Sequence, residues 1–162
     1  IKKLNPQNDL GRVLVITRFG EAQVSSLLPA LIEKVLSANL AVIWVCDPMH
    51  GNTKSLPNGR KTRFIEDINK EIDDSFLVHL QMGTYLGGLH LESTVERVSE
   101  CFTQNIRCLD SNFNHVYTSL CDPRLNFAQS LEVCTYFASL YQKKTNQEAC
   151  HFVESLLSFH SS

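Results

Sequence analysis

The chain has 162 residues, enough for one domain with a buried core, and 43% of them are hydrophobic against 20% charged, the balance of an ordinary soluble globular protein. A formal net charge of −2 with no basic stripe excludes a nucleic-acid partner, whose phosphates call for a concentrated cationic patch. No apolar run is long enough to span a bilayer, so no membrane partner is expected.

The N-terminus, "IKKLNPQNDLG", has no apolar core or cleavage-like site and lacks an initiator Met. The expectation is a piece of a longer chain. "RVLVIT", Arg12 to Thr17, predicts a first strand. In "EAQVSSLLPALIEKVLSAN", Val24, Leu27, Leu28, Leu31, Ile32, Val35 and Leu36 recur at helical spacing, with Pro29 expected near the first turn. "LAVIWVC" predicts the second strand. After a Gly/Pro-containing loop, "RFIEDINKEIDDSFLVHLQ" predicts a helix with Phe64, Ile65, Ile68 and Ile72 on one face. "GGLHLES" predicts a short third strand and "TVERVSECFTQ" a third helix. "HVYTSLC" predicts a fourth strand. "FAQSLEVCTYFASLYQKK" predicts a fourth helix, with Leu131, Cys134, Phe137, Ala138 and Tyr141 facing inward. One more short amphipathic helix is expected through Ala149, Phe152, Val153, Leu156 and Leu157.

Four alternations of strand and helix imply an α/β fold with a parallel sheet. Continuous apolar strands suit a sheet covered on both faces. The six cysteines, Cys46, Cys101, Cys108, Cys121, Cys134 and Cys150, form no CxxC pair and mostly lie inside apolar runs. That pattern predicts a reduced intracellular protein with buried thiols, not a zinc ribbon or a disulfide scaffold.

Each predicted strand changes character at its carboxyl end. The first runs into Arg18, the second into Asp47 and His50, the third into His90 and Glu92, the fourth into Asp122 and Arg124. Ligands of parallel α/β folds bind outside the carboxyl ends of the strands. His with Glu and Asp suits a divalent ion of intermediate hardness such as manganese or iron, with zinc or cobalt as alternatives. Arginines suit a phosphate or carboxylate. Taken singly, these residues have ordinary readings: a loop hydrogen-bonder for His50, a surface carboxylate for Glu92, a helix cap for Asp122, a salt-bridge partner for Arg18.

"WVCDPMHGNT", "GRKTR", "GTYLGGLHLE", "VSECF" and "CDPRLNFAQSLE" together resemble the C-terminal half of the class II 3-deoxy-D-arabino-heptulosonate 7-phosphate (DAHP) synthases, in order and in spacing, over about residues 12 to 142. The resemblance implies a (β/α)8 TIM barrel of which this chain, residues 1–162, is one C-terminal segment. It would supply roughly strands five to eight, a half barrel, with a divergent tail over residues 143–162. It implies condensation of phosphoenolpyruvate with erythrose 4-phosphate at the entry to the shikimate pathway, an EC 2.5.1.54 transferase. It implies one divalent metal, manganese first, with cobalt, iron, zinc or cadmium as alternatives. His50, Glu92 and Asp122 match three of the four ligands. The fourth, a Cys, lies upstream of anything in this chain, and Cys46 and Cys121 are expected to be packed thiols. Arg18 matches the arginine that holds phosphoenolpyruvate; Lys61, Arg63 and Arg124 are assigned to the same substrate side.

Further expectations follow from the resemblance. The chain would be active only with its missing N-terminal half, and homo-oligomeric at full length. Its location would be the cytoplasm in a bacterium or a plastid in a plant. "GTYLGG" departs from the family's "GTHPGG": Tyr85 stands for a His and would be a poorer proton shuttle near neutrality. Leu86 stands for a Pro, and Val95 replaces a Gly. The competing reading is a truncated, non-catalytic relative acting as an interaction or regulatory subunit. A third is an unrelated phosphate-binding α/β protein.

Overall fold

The computed structural model describes the backbone of residues 1–103 and 116–159, with side chains to residue 145. Its regular part is a βαβαβ unit. Strand β1 (Leu14–Thr17) leads to helix α1 (Val24–Ser37), then strand β2 (Ile43–Cys46). A 3-10 turn (His50–Asn52) follows, then a two-stranded ribbon of β3 (Lys54–Ser55) and β4 (Lys61–Thr62). Helix α2 (Ile65–Gln81) and strand β5 (Leu86–Leu89) complete the unit, and helix α3 (Phe127–Phe159) ends it. The sheet order is β1-β2-β5, all parallel.

Local chemistry sets the helix ends. Asn39 and Gly83 take left-handed φ values after α1 and α2. The next amides reach back, Leu40 N to Val35 O and Thr84 N to His79 O, which satisfies carbonyls the helices leave open. Asn126 and Gln129 cap α3 reciprocally, each side-chain oxygen accepting from the other's backbone N–H. Pro29 lies in the second turn of α1, a turn later than expected. Ser25, whose carbonyl loses its partner there, is exposed and can turn to water.

Both α1 and α2 pack on one face of the sheet. Val24, Leu28, Ile32 and Val35 of α1 meet Trp44, Cys46, Leu86 and Val78 in one buried cluster. Each such side chain contributes about 1.5–3 kcal/mol of burial. The opposite face is largely uncovered among the described residues: Val45 is buried, but Leu14 is 55% exposed, Ile16 46% and Ile43 36%. The expected two-sided cover is therefore corrected to one side. Strand β1 also leaves one edge unpaired among the described residues.

The second half departs further from expectation. Residues 94–103 form no helix. Phe102 instead pairs in extended form with the segment at Arg63–Ile65, Phe102 N donating to Arg63 O and Ile65 N to Phe102 O. Residues 116–121 form no strand, because the amides of Thr118 and Ser119 donate to the Glu100 carboxylate and are lost to any ladder. A second isolated bridge joins Ser93 to Leu125. The fourth helix and the tail are one continuous helix, α3. Its inward residues are Val133, Phe137, Leu140 and Tyr141, whereas Leu131, Cys134 and Ala138 are exposed. Of the thiols, Cys46 and Cys101 are buried and Cys121 and Cys134 exposed. Cys108 and the side chain of Cys150 lie outside the described residues. No helix among the described residues is long and apolar enough to cross a membrane.

Candidate metal centre

Strand β2 ends in Asp47, and the chain turns at once through Pro48 into the 3-10 turn. Asp47 is buried, and its Oδ1 accepts from the backbone N–H of Met49 and His50. Its Oδ2 lies 2.6 Å from His50 Nδ1. A carboxylate there requires the proton on Nδ1, which leaves the Nε2 lone pair facing outward. Nε2 lies 3.5 Å from Glu92 Oε1. Asp122 completes the group: one ligand atom each from His50, Glu92 and Asp122 lies within 4.8 Å of the others.

Each ligand has its own buried holder. For His50 it is Asp47. For Glu92 it is Arg63, whose side chain is fully buried and whose Nη1 lies 2.5 Å from Glu92 Oε2. That pair is an ion contact without hydrogen-bond alignment, so Glu92 Oε2 and Arg63 Nη2 are both buried without hydrogen-bond partners. Arg63 also donates from Nε to Thr53 Oγ1 at 3.0 Å and from Nη1 to Pro123 O. It thus touches the segment that carries each of the three ligands. For Asp122 the holder is Glu100, fully buried, which accepts from the backbone N–H of Thr118, Ser119 and Arg124. Burial alone would push the Glu100 carboxyl up. The Arg124 guanidinium and those amides outweigh it and hold the group down at about 2.

The predicted substrate-side cations fall in different places. Lys61 Nζ donates to Asp122 Oδ1 at 2.9 Å, and this hydrogen bond draws the Asp122 carboxyl down and the Lys61 ammonium up. Arg124 spends its fork on Glu100, at 2.9 Å and 3.1 Å. Arg63 lies beneath the rim. Arg18 is exposed at the end of β1 and makes no hydrogen bond or ion pair among the described residues. Tyr85 stands at the opposite end of β5 from His90 and Glu92, its ring 5.1 Å from that of Tyr141. The expectation of Tyr85 as a weakened proton shuttle at the site is corrected by that placement. Cys121 is exposed beside Asp122, not packed beneath it.

Asp47, Glu100, Asn52 and Glu71 were not singled out as site residues from sequence. For Asp47 the signal was present, in the Asp-Pro-x-His spacing. For Glu100 and Glu71 the signal was weak: a carboxylate among apolar neighbours in a segment that reads as helix.

The donor set fits a divalent ion. One imidazole and two carboxylates suit an ion of intermediate hardness. The cluster already draws in Lys61 and Arg63.

Residues 1–138 match the model of the class-II DAHP synthetase family. The chain belongs to that family. It is 42% identical over 150 residues to a phospho-2-dehydro-3-deoxyheptonate aldolase of Neurospora crassa, covering 91% of this chain and 31% of that protein. It is 44% identical over 140 residues to the protein of that name from Mycolicibacterium smegmatis, covering 86% of this chain and 30% of the relative. Against the Streptomyces coelicolor protein it is 38% identical over 142 residues, covering 88% and 32%. This class-II chain therefore spans about a third of the length of the curated relatives it matches.

Proposed function

We propose that this chain is the C-terminal, metal-carrying segment of a DAHP synthase, joining phosphoenolpyruvate, erythrose 4-phosphate and water into DAHP and inorganic phosphate. The observation that carries the reading is the convergence of His50, Glu92 and Asp122 in a chain that belongs to this family. The rest of a (β/α)8 barrel would come from chain outside these residues. The uncovered face at Leu14, Ile16 and Ile43 and the unpaired β1 edge support that.

His50, Glu92 and Asp122 would hold a divalent ion, manganese first, with a fourth ligand from outside this chain. The ion would supply Lewis acidity toward the aldehyde of erythrose 4-phosphate. Arg18, exposed and unspent, is the arginine free to grip the phosphate or carboxylate of phosphoenolpyruvate. Lys61 lies beside Asp122 with its charge at the rim, where it can meet a second phosphate. Arg63 and Arg124 serve by holding Glu92 and Glu100 in place. C3 of phosphoenolpyruvate attacks the aldehyde carbon, water adds at C2, and phosphate leaves from C2. The residues position the reactants and stabilise charge.

The test uses the protein as its gene encodes it. Phosphate release that requires both substrates and Mn2+, and that EDTA abolishes, is expected. H50A and D122A should each lower Mn2+ affinity by at least about tenfold. Substrate-dependent turnover that is absent with every divalent metal tried would sink the reading. The alternative, a non-catalytic subunit, rests on the fourth ligand lying outside this chain and on Tyr85, which stands at the far end of β5 from His90 and Glu92.

A further inference from the structure

The turn after Arg18 and the turn at His50 meet backbone to backbone. Gly20 has φ +84, and a Cβ on it would lie 2.7 Å from Gly51 O. A Cβ on Gly51 would lie 2.3 Å from Gly20 N. Only glycine permits this approach. Beneath it lies Glu71 of α2, fully buried. Its Oε1 accepts from the backbone N–H of Phe19 and of Gly20, each at 3.0 Å. Its Oε2 accepts from Asn52 Nδ2 at 2.8 Å. Asn52 Oδ1 in turn accepts from Glu21 N at 2.9 Å, which closes a ring of contacts across the two turns.

A carboxylate buried between Ile68 and Ile72 is costly unless its charge is used. An apolar side chain would pack there more cheaply. What an apolar side chain lacks is two oxygens that can be shared between two strand ends. We propose that Glu71 is a positioning residue that clamps the Arg18 turn to the His50 turn, fixing the anion-binding end of the site relative to its metal-binding end; this rests on the function proposed above. Glu71 touches neither substrate nor metal. It acts through Phe19, Gly20 and Asn52, each within two residues of Arg18 or His50.

Glu71→Gln is the sharp variant, because glutamine offers one acceptor and one donor group and can serve only one of the two turns. In the protein as its gene encodes it, E71Q should melt cooperatively and bind Mn2+ and phosphoenolpyruvate within about threefold of wild type. Its kcat should fall roughly tenfold to a hundredfold, the cost of misaligned reacting groups. A merely structural role would lower the melting temperature and leave kcat per folded molecule unchanged. A kcat within twofold of wild type, or a fall matched by lost binding of either ligand, overturns the clamp. Hydrogen exchange gives a second readout that needs no turnover. Glu71→Leu removes both acceptors while keeping bulk, and should speed exchange in residues 18–21 and 49–53 together. Faster exchange in one segment alone overturns the proposal. Should wild type prove inactive while both segments respond together, the function reading fails and the clamp stands.

Discussion

Residues 14–89 and residues 90–126 both deliver side chains to the candidate metal centre, but by different means. In the first region a parallel ladder carries β2 to its end and His50 follows within a turn, held by Asp47 three residues away. In the second region the ladder has almost gone: one bridge joins Ser93 to Leu125. There Glu92 and the turn that carries Asp122 are held by buried charges, Arg63 from the first region and Glu100 from about twenty residues upstream. Where backbone pairing is too sparse to fix a side chain, ion pairs and charge-assisted hydrogen bonds do so.

The contrast can be broken most severely at Glu100. E100Q leaves the Arg124 guanidinium half-answered and weakens the grip on the 118–124 turn. The expected loss is about 3 kcal/mol of stability, read as a lower urea midpoint. An unchanged midpoint would mean that the irregular region is held by packing after all. On the regular side, D47N removes the charge behind His50 but keeps an acceptor. A fall of about tenfold in Mn2+ affinity is expected with little change in the urea midpoint. Equal losses of stability in the two variants would erase the distinction between the regions.

Acid and base should separate the regions further. Glu100 is held at about 2, below the ordinary carboxyl value of 4.5. The unfolded chain therefore takes up its proton first as pH falls, and the stability Glu100 gives above pH 4.5 is lost on the way down to 2. Glu71 runs the other way. Burial, with the Asp47 charge adding to it, pushes it up to about 7 against the donors at Phe19, Gly20 and Asn52. Between pH 4.5 and 7 the folded chain keeps a proton that the unfolded chain has released, so this contribution declines as pH rises. Urea midpoints measured at pH 3, 5 and 7 should lose their lower limb in E100Q and their upper limb in E71Q. The smallest effect belongs to Tyr85→His, which restores the family's residue. Because Tyr85 packs on Tyr141 away from the ligands, turnover should stay within about twofold. A larger gain would connect the far end of β5 to the chemistry.

Much of the regular region was legible in the residues. The runs at Arg12–Thr17 and Leu40–Cys46 are short, mainly apolar and rich in β-branched residues, and strands β1 and β2 lie within them. The apolar spacing from Val24 to Leu36 is helical, and Asn39 marks its stop. The residues that end the strands were legible too, since His50, Glu92 and Asp122 do meet. The ribbon at Lys54–Thr62 reads as a loop in the sequence, although its "LPNG" segment is a turn signal. "TVERVSECFTQ" has helical periodicity, yet Val98, Glu100 and Phe102 are buried in extended or irregular backbone. Propensity is a matter of tenths of a kcal/mol per residue, and a buried carboxylate with five donors outweighs it.

By itself, then, the sequence determined the βαβαβ order, the helix stops, the family and the three groups able to ligate a metal, because each depends on residue type and short spacing. The tertiary structure alone decided which groups hold the ligands. Arg63 reads as a substrate-side cation in the sequence, and Glu100 and Glu71 as polar positions on helices. They become buried anchors only when distant backbone amides and carboxylates close around them, and long-range pairing of that kind leaves no periodicity in the chain to read.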